Sequence, residues 1–106
     1  MYLAVGAIAS AGASPIVRIP AGEVWMMKRA LDSGAHAIMI PMCETKEQAE
    51  AIVNGMKYPS ASWPNGIRGA GAMFAPALFN QNGHEYLRHA NDNILVIVQI
   101  ESISMQ

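Results

Sequence analysis

The sequence predicts an α/β fold built on parallel strands, and three observations predict it. Strand-like and helix-like stretches alternate regularly along the 106 residues, the pattern of a sheet whose strands are joined by crossover helices. The runs Ala37 to Met42 (AIMIPM) and Ile94 to Ile100 (ILVIVQI) are continuously apolar rather than alternating, as strands buried in a parallel sheet are. Gly12 and Gly34 stand just past helical stretches, where a chain leaves a helix.

Composition narrows the setting. With 52% hydrophobic and 14% charged residues, the chain has the makeup of one core-forming domain and not of a disordered tail. Lys and Arg are scattered singly and the net charge is −1, so no basic stripe is present to neutralise a phosphate backbone, and nucleic acid is not an expected partner. The single cysteine, Cys43, cannot form an internal disulfide, which favours a reducing, cytoplasmic setting. The apolar start MYLAVGAIASAGAS lacks the positive region of a secretory signal and is too short to span a bilayer, so no membrane is expected.

Taken in order, Tyr2 to Ala11 reads as the end of a buried helix, followed by a short extended run from Ser14 to Ile19 that Pro20 closes. From Glu23 to Ser33, Val24, Met27, Ala30 and Leu31 recur at helical spacing as the buried stripe of a crossover helix. Trp25, Met26 and Met27 in that stretch read as core packing. Ala37 to Met42 is the next strand, and Pro41 marks its end. Thr45 caps a helix in which Gln48 reaches back as in a capping box, with Ala49, Ile52, Val53 and Met56 facing the core and an end near Lys57.

Tyr58 to Asn82 is broken by Pro59, Pro64 and Pro76 and by glycines, which predicts a long loop with one short helical turn. A short helix from about His84 to Ala90 and a turn at Asn91, Asp92 and Asn93 lead into the strand Ile94 to Ile100. Three βα-type units make less than half of a barrel of about 250 residues. The abrupt apolar start and the uncovered final strand read as a chain that begins and ends inside a larger fold.

In parallel α/β folds the active site lies at the C-terminal ends of the strands, so polar residues there draw the functional reading. Arg18 ends the first strand inside the apolar PIVRIP. A guanidinium in that place faces either an incoming carboxylate, which its fork suits, or a structural acid at the sheet's mouth. Gln99 and Glu101 lie two apart and share a face, a reasonable half-site for a hard cation and its oxygen ligand. They could equally cap a neighbouring helix or sit in solvent.

Five stretches in order, PIVRIP, AIMIPMCETKEQAEAIV, KYP, GIRGAG and VQIES, resemble the class II, pyruvate-dependent HpcH/HpaI aldolase and citrate lyase family. The resemblance covers nearly the whole chain and implies a partial TIM (β/α)8 barrel, with residues 1–106 forming about three central βα units of the domain and lacking its N- and C-terminal parts. It implies that Arg18 binds the carboxylate of pyruvate or its enolate as the catalytic arginine, that Gln99 contacts the bound ketoacid, and that Glu101 is one of two acidic ligands of Mg2+ or Mn2+. The implied reaction is retro-aldol cleavage of a 4-hydroxy-2-ketoacid to pyruvate and an aldehyde, in a full-length parent that forms a homo-oligomer.

The family's histidine base and second metal-binding aspartate have no counterpart here. His36 opens a strand, His84 and His89 flank a surface helix, and Asp92 lies before the last strand, at the wrong end of the sheet. Arg68, Gly69 and Gly71 resemble a family loop near the active-site mouth, with a turn or a subunit contact as the other reading. Two further readings stand beside the aldolase: a citrate-lyase-like acyl-CoA lyase, disfavoured by the lack of basic residues for nucleotide phosphates, and a catalytically incomplete fragment that only associates with other subunits.

Overall fold

A computed structural model describes residues 1–71 and 74–101. The elements are α1 (Tyr2–Ser10), β1 (Ile16–Arg18), α2 (Val24–Asp32), β2 (Ala37–Cys43), α3 (Lys46–Met56), α4 (Ala75–Leu78), α5 (Gly83–Asn93) and β3 (Leu95–Ile100). The strands form one parallel sheet in the order β1-β2-β3. Parallel neighbours need crossovers, and α2 supplies the first while α3 to α5 supply the second.

The helices cover one face of the sheet. Ile38 and Ile40 of β2 meet Met27, Ala30 and Leu31 of α2 and Ile52 and Met56 of α3, and Val17, Val96 and Val98 pack against the same layer. Full burial of each large aliphatic side chain contributes roughly 1.5–3 kcal/mol, so this layer is the main source of stability. The two-residue period turns Ile16, Arg18, Met39, Leu95, Ile97 and Gln99 to the opposite face. That face is open, with Ile16 55% and Leu95 59% exposed.

Three assignments of buried residues need correction. Within α1 only Val5 is buried, because a helix that is apolar all round has no preferred side and meets mainly α4 here. Val24 lies in the first turn of α2 and is exposed, while Met27, Ala30 and Leu31 hold the stripe. Trp25 is 58% exposed, so only Met27 of the Trp25–Met27 trio is core, with Met26 partly buried against it.

Pro41 does not end β2. Ile40 pairs with Val98 and Cys43 with Ile100, so Pro41 and Met42 together face one residue of β3. This one-residue bulge absorbs the proline, which has no N–H for the ladder. It also resets the period, so that Ile40 and Cys43 both enter the helix layer, each 1% exposed. Met42 takes up the kink in the left-handed region, with φ 57°, and its side chain is 57% exposed.

Both long helices start with reciprocal caps. Thr45 Oγ1 accepts from Gln48 N and Gln48 Oε1 from Thr45 N, as the sequence predicts. Asn82 and Glu85 build the same box at α5, and the helix runs on through Asn91, Asp92 and Asn93 instead of turning there. The Asn91 side chain explains the extension, since its amide bonds both the N–H and the C=O of Tyr58 and so ties α5 to the end of α3. Lys57 Nζ donates to the Asn91 carbonyl beside it, and burial lowers the Lys57 pKa, opposed by Asp92.

The stretch from Tyr58 to Asn82, apart from Ala72 and Met73, which lie outside the described residues, is loop with one short helix, α4. It is anchored rather than free. Ile67 N bonds Asn54 O and Arg68 N bonds Lys57 O, which satisfies carbonyls left over at the end of α3. Gly66 permits this approach, since a Cβ there would stand 2.5 Å from the Lys57 carbonyl oxygen.

Candidate active site

Parallel register gathers the C-terminal ends of the strands on one rim. Arg18 lies beside Met39 and Met39 beside Ile97, which puts Gln99 one repeat further along the open face. Arg18 Nε donates to Gln99 Oε1 at 2.9 Å across 81 residues of sequence. A guanidinium offers donors only, so the atom facing it is the amide oxygen, and the Gln99 Nε2 group is turned away with both its protons available.

The rest of the Arg18 fork has no partner among the described residues, and no carboxylate pairs with it. The reading of Arg18 as one half of a structural ion pair is therefore not what the described residues show. An exposed, uncompensated guanidinium anchored at Nε and open at both Nη atoms is a ready site for a planar carboxylate.

Glu101 follows β3 on the same rim. It does not touch Arg18 or Gln99; its Oε1 accepts from the backbone N–H of Met42 at 3.3 Å, across the bulge of β2. Among the described residues no group of three or more His, Cys, Asp and Glu side chains could hold a metal. The Glu101 Oε2 has no partner among the described residues, and a carboxylate oxygen is a hard donor of the kind Mg2+ and Mn2+ take.

The histidines lie away from this rim. His36 Nε2 contacts the Leu78 carbonyl at 3.1 Å and its ring stacks on Phe79, while His84 and His89 are exposed on α5. Cys43 is inside β2 and buried, a core side chain without a base. A cleft of about 250 Å³, lined by Glu23, Pro41, Met42, Gln48 and Ile52 among others, lies between the C-terminal end of β2 and the first turns of α2 and α3 and includes none of Arg18, Gln99 and Glu101.

Arg68 is not at the rim. It is 4% exposed and lies against Asp32, in the last turn of α2, at 3.3 Å. Its Nη2 donates to the Tyr86 hydroxyl at 2.6 Å, and its guanidinium covers the Tyr58 and Tyr86 rings at 4.4 and 5.2 Å. Lys28 closes the group with a 2.8 Å bridge to Asp32. Because α2 runs back from the C-terminal end of β1 to the start of β2, this cluster sits by the opposite edge of the sheet. Sequence reading missed it, and the only signal was an arginine flanked by glycines in a loop.

Comparison with known proteins agrees with this architecture. The pattern defining the HpcH/HpaI aldolase/citrate lyase family matches residues 2–104. A hydroxypyruvate/pyruvate aldolase of Roseovarius nubinhibens is 43% identical over 88 residues, 83% of this chain and 33% of that protein. A 5-keto-4-deoxy-D-glucarate aldolase of Escherichia coli is 38% identical over 96 residues, 91% of this chain and 36% of its own length. The crystal structure of an HpcH/HpaI aldolase/citrate lyase family protein from Burkholderia cenocepacia superposes with a TM-score of 0.84 at 40% identity, over 97% of this chain and 40% of that one.

The chain thus spans about a third of the length of the curated relatives it matches. Its three parallel strands and their helices are a partial TIM (β/α)8 barrel, whose interior corresponds to the open sheet face. From residue 2 to residue 104, the chain belongs to the HpcH/HpaI aldolase/citrate lyase family.

Proposed function

We propose that this chain supplies the carboxylate-binding arginine and one metal ligand of a carbon–carbon lyase site that cleaves a 4-hydroxy-2-ketoacid to pyruvate and an aldehyde. The contact that carries the reading is Arg18 Nε to Gln99 Oε1, which leaves both Nη atoms of the exposed guanidinium without a partner among the described residues. Arg18 grips the ketoacid carboxylate through its fork, and the bond to Gln99 holds that fork in place.

Gln99, with its oxygen already engaged, presents its amide protons to the substrate's keto oxygen. Charge grows on that oxygen as the C–C bond breaks, so a donor fixed there lowers the barrier. A divalent cation held in part by Glu101 would supply the larger share of that charge stabilisation. The names of the relatives, which are aldolases acting on pyruvate, hydroxypyruvate or a ketodeoxysugar acid, support the substrate class.

The same reading places the reaction in the cytoplasm and the full-length protein in a homo-oligomer. Calorimetric titration of the chain with pyruvate in the presence of Mn2+ tests it. Arg18→Met weakens binding at least tenfold, Gln99→Leu weakens it less, and Glu101→Ala removes the dependence on Mn2+. Unchanged pyruvate affinity in Arg18→Met would sink the assignment.

A second reading draws on the open sheet face, where Ile16 and Leu95 are more than half exposed: the chain then serves only to associate with further polypeptide. Sedimentation separates the two. A chain that binds pyruvate as a monomer supports the lyase reading, and one that self-associates and binds none supports association.

A further inference from the structure

The bulge in β2 returns Cys43 to the core, and it also sits on the rim and costs a left-handed methionine. Pro41 and Met42 oppose a single residue of β3, Met42 has φ 57°, and its N–H leaves the ladder and points at Glu101 Oε1, 3.3 Å away. Strained backbone of this kind at a strand's functional end is a sign of a group held for use.

We propose that the Met42 backbone amide is a positioning group for Glu101, fixing one carboxylate oxygen so that the other is presented to a divalent cation. The inference rests on the reading of Glu101 as a metal ligand and adds to it a partner on a different strand. In an undistorted β2, residue 42 would keep a β conformation and its N–H would stay in the ladder. The proline removes one donor from the ladder and the kink releases the next, so sequence and geometry act together to supply an N–H at this point.

Glu101 is exposed, and a free glutamate there would sample several rotamers before meeting a cation. Anchoring Oε1 removes much of that freedom and leaves Oε2 as a monodentate ligand. Partners of this second kind typically change metal affinity 10–100-fold when lost. The side chain of Met42 is not needed for this role; the amide and the local φ are.

Replacing the Met42 amide by an ester, with methionine's α-hydroxy analogue at position 42 of the whole chain, deletes the N–H and keeps the side chain. Mn2+ affinity, measured by calorimetry with pyruvate present, is expected to fall 10–100-fold. Should Glu101→Ala abolish Mn2+ binding while the ester variant binds like the parent, the positioning role is wrong and the lyase reading survives. Mn2+ binding unchanged by Glu101→Ala overturns both.

Amide hydrogen exchange gives a second readout that needs neither metal nor the ester. The Met42 N–H is expected to exchange faster in Glu101→Ala than in the parent, and to keep its protection in Glu101→Gln, which retains the accepting oxygen but loses the charge for Mn2+. Equal Met42 exchange in the parent and Glu101→Ala would overturn the proposal.

Discussion

Two arginines stand near opposite edges of one small sheet and are treated in opposite ways. Arg68 is enclosed by Asp32, Tyr58 and Tyr86, sharing the Asp32 carboxylate with Lys28, and its buried Nε and Nη1 have no hydrogen-bond partner among the described residues. Arg18 is exposed, touches only an amide oxygen, and has no acid beside it among the described residues. A buried guanidinium must be compensated by the protein itself. One at an open rim can leave that task to a ligand.

The comparison breaks most readily by exchanging the two roles. Arg68→Met should lower folding stability by about 2–3 kcal/mol, at the modest end for a broken buried pair because Lys28 still bridges Asp32. Arg18→Met should change stability by less than about 0.5 kcal/mol while weakening pyruvate binding at least tenfold. Urea denaturation of the two variants measures both, and equal losses would erase the distinction.

Next in size is Gly66→Ala, expected to cost about 1–3 kcal/mol, because the added Cβ forces the loop off the Lys57 carbonyl and disturbs the path that carries Arg68 inward. Asn82→Ala should cost about 1 kcal/mol through loss of the α5 cap. Thermal unfolding should rank these two in that order, with pyruvate affinity unchanged in both.

The finest distinction is in the titration of the Arg68 cluster. Burial pushes the Tyr58 hydroxyl up to about 12, against the opposing pull of Arg68, and pushes Tyr86 up as well. The unfolded chain releases these protons near the ordinary value of about 10. Stability is therefore fully present below about pH 10 and falls as pH rises towards about 12, where the folded state still holds them. Tyr58→Phe should shrink that fall.

Local signals were readable in the sequence and distant ones only in part. The alternation of AIMIPM and ILVIVQI with amphipathic stretches gave the parallel sheet, and Thr45 with Gln48 gave the cap, because each is decided within a few residues. The cap at Asn82 and Glu85 had the same spacing but lay at the end of a loop whose prolines and glycines drew the reading away. Arg18 and Gln99 were singled out by their places at strand ends, yet their contact spans 81 residues and needed the register.

The bulge was half legible: Pro41 announced a disturbance, and only the pairing of Cys43 with Ile100 showed that the strand resumes. The Arg68 cluster joins α2, a loop and α5 across 36 and 18 residues. No periodicity reports such a meeting. It is decided by where three separate segments pack.

The order β1-β2-β3 also bears on how such a chain is made. Each strand docks on the one before it, so during synthesis every new unit finds its template already in place and never has to be inserted between earlier strands. The edge open to pairing is at each moment the strand just completed, and Gln99 lies on the third. Growth of this kind would bring Arg18 of the first strand and its Gln99 partner together as soon as the third strand docks.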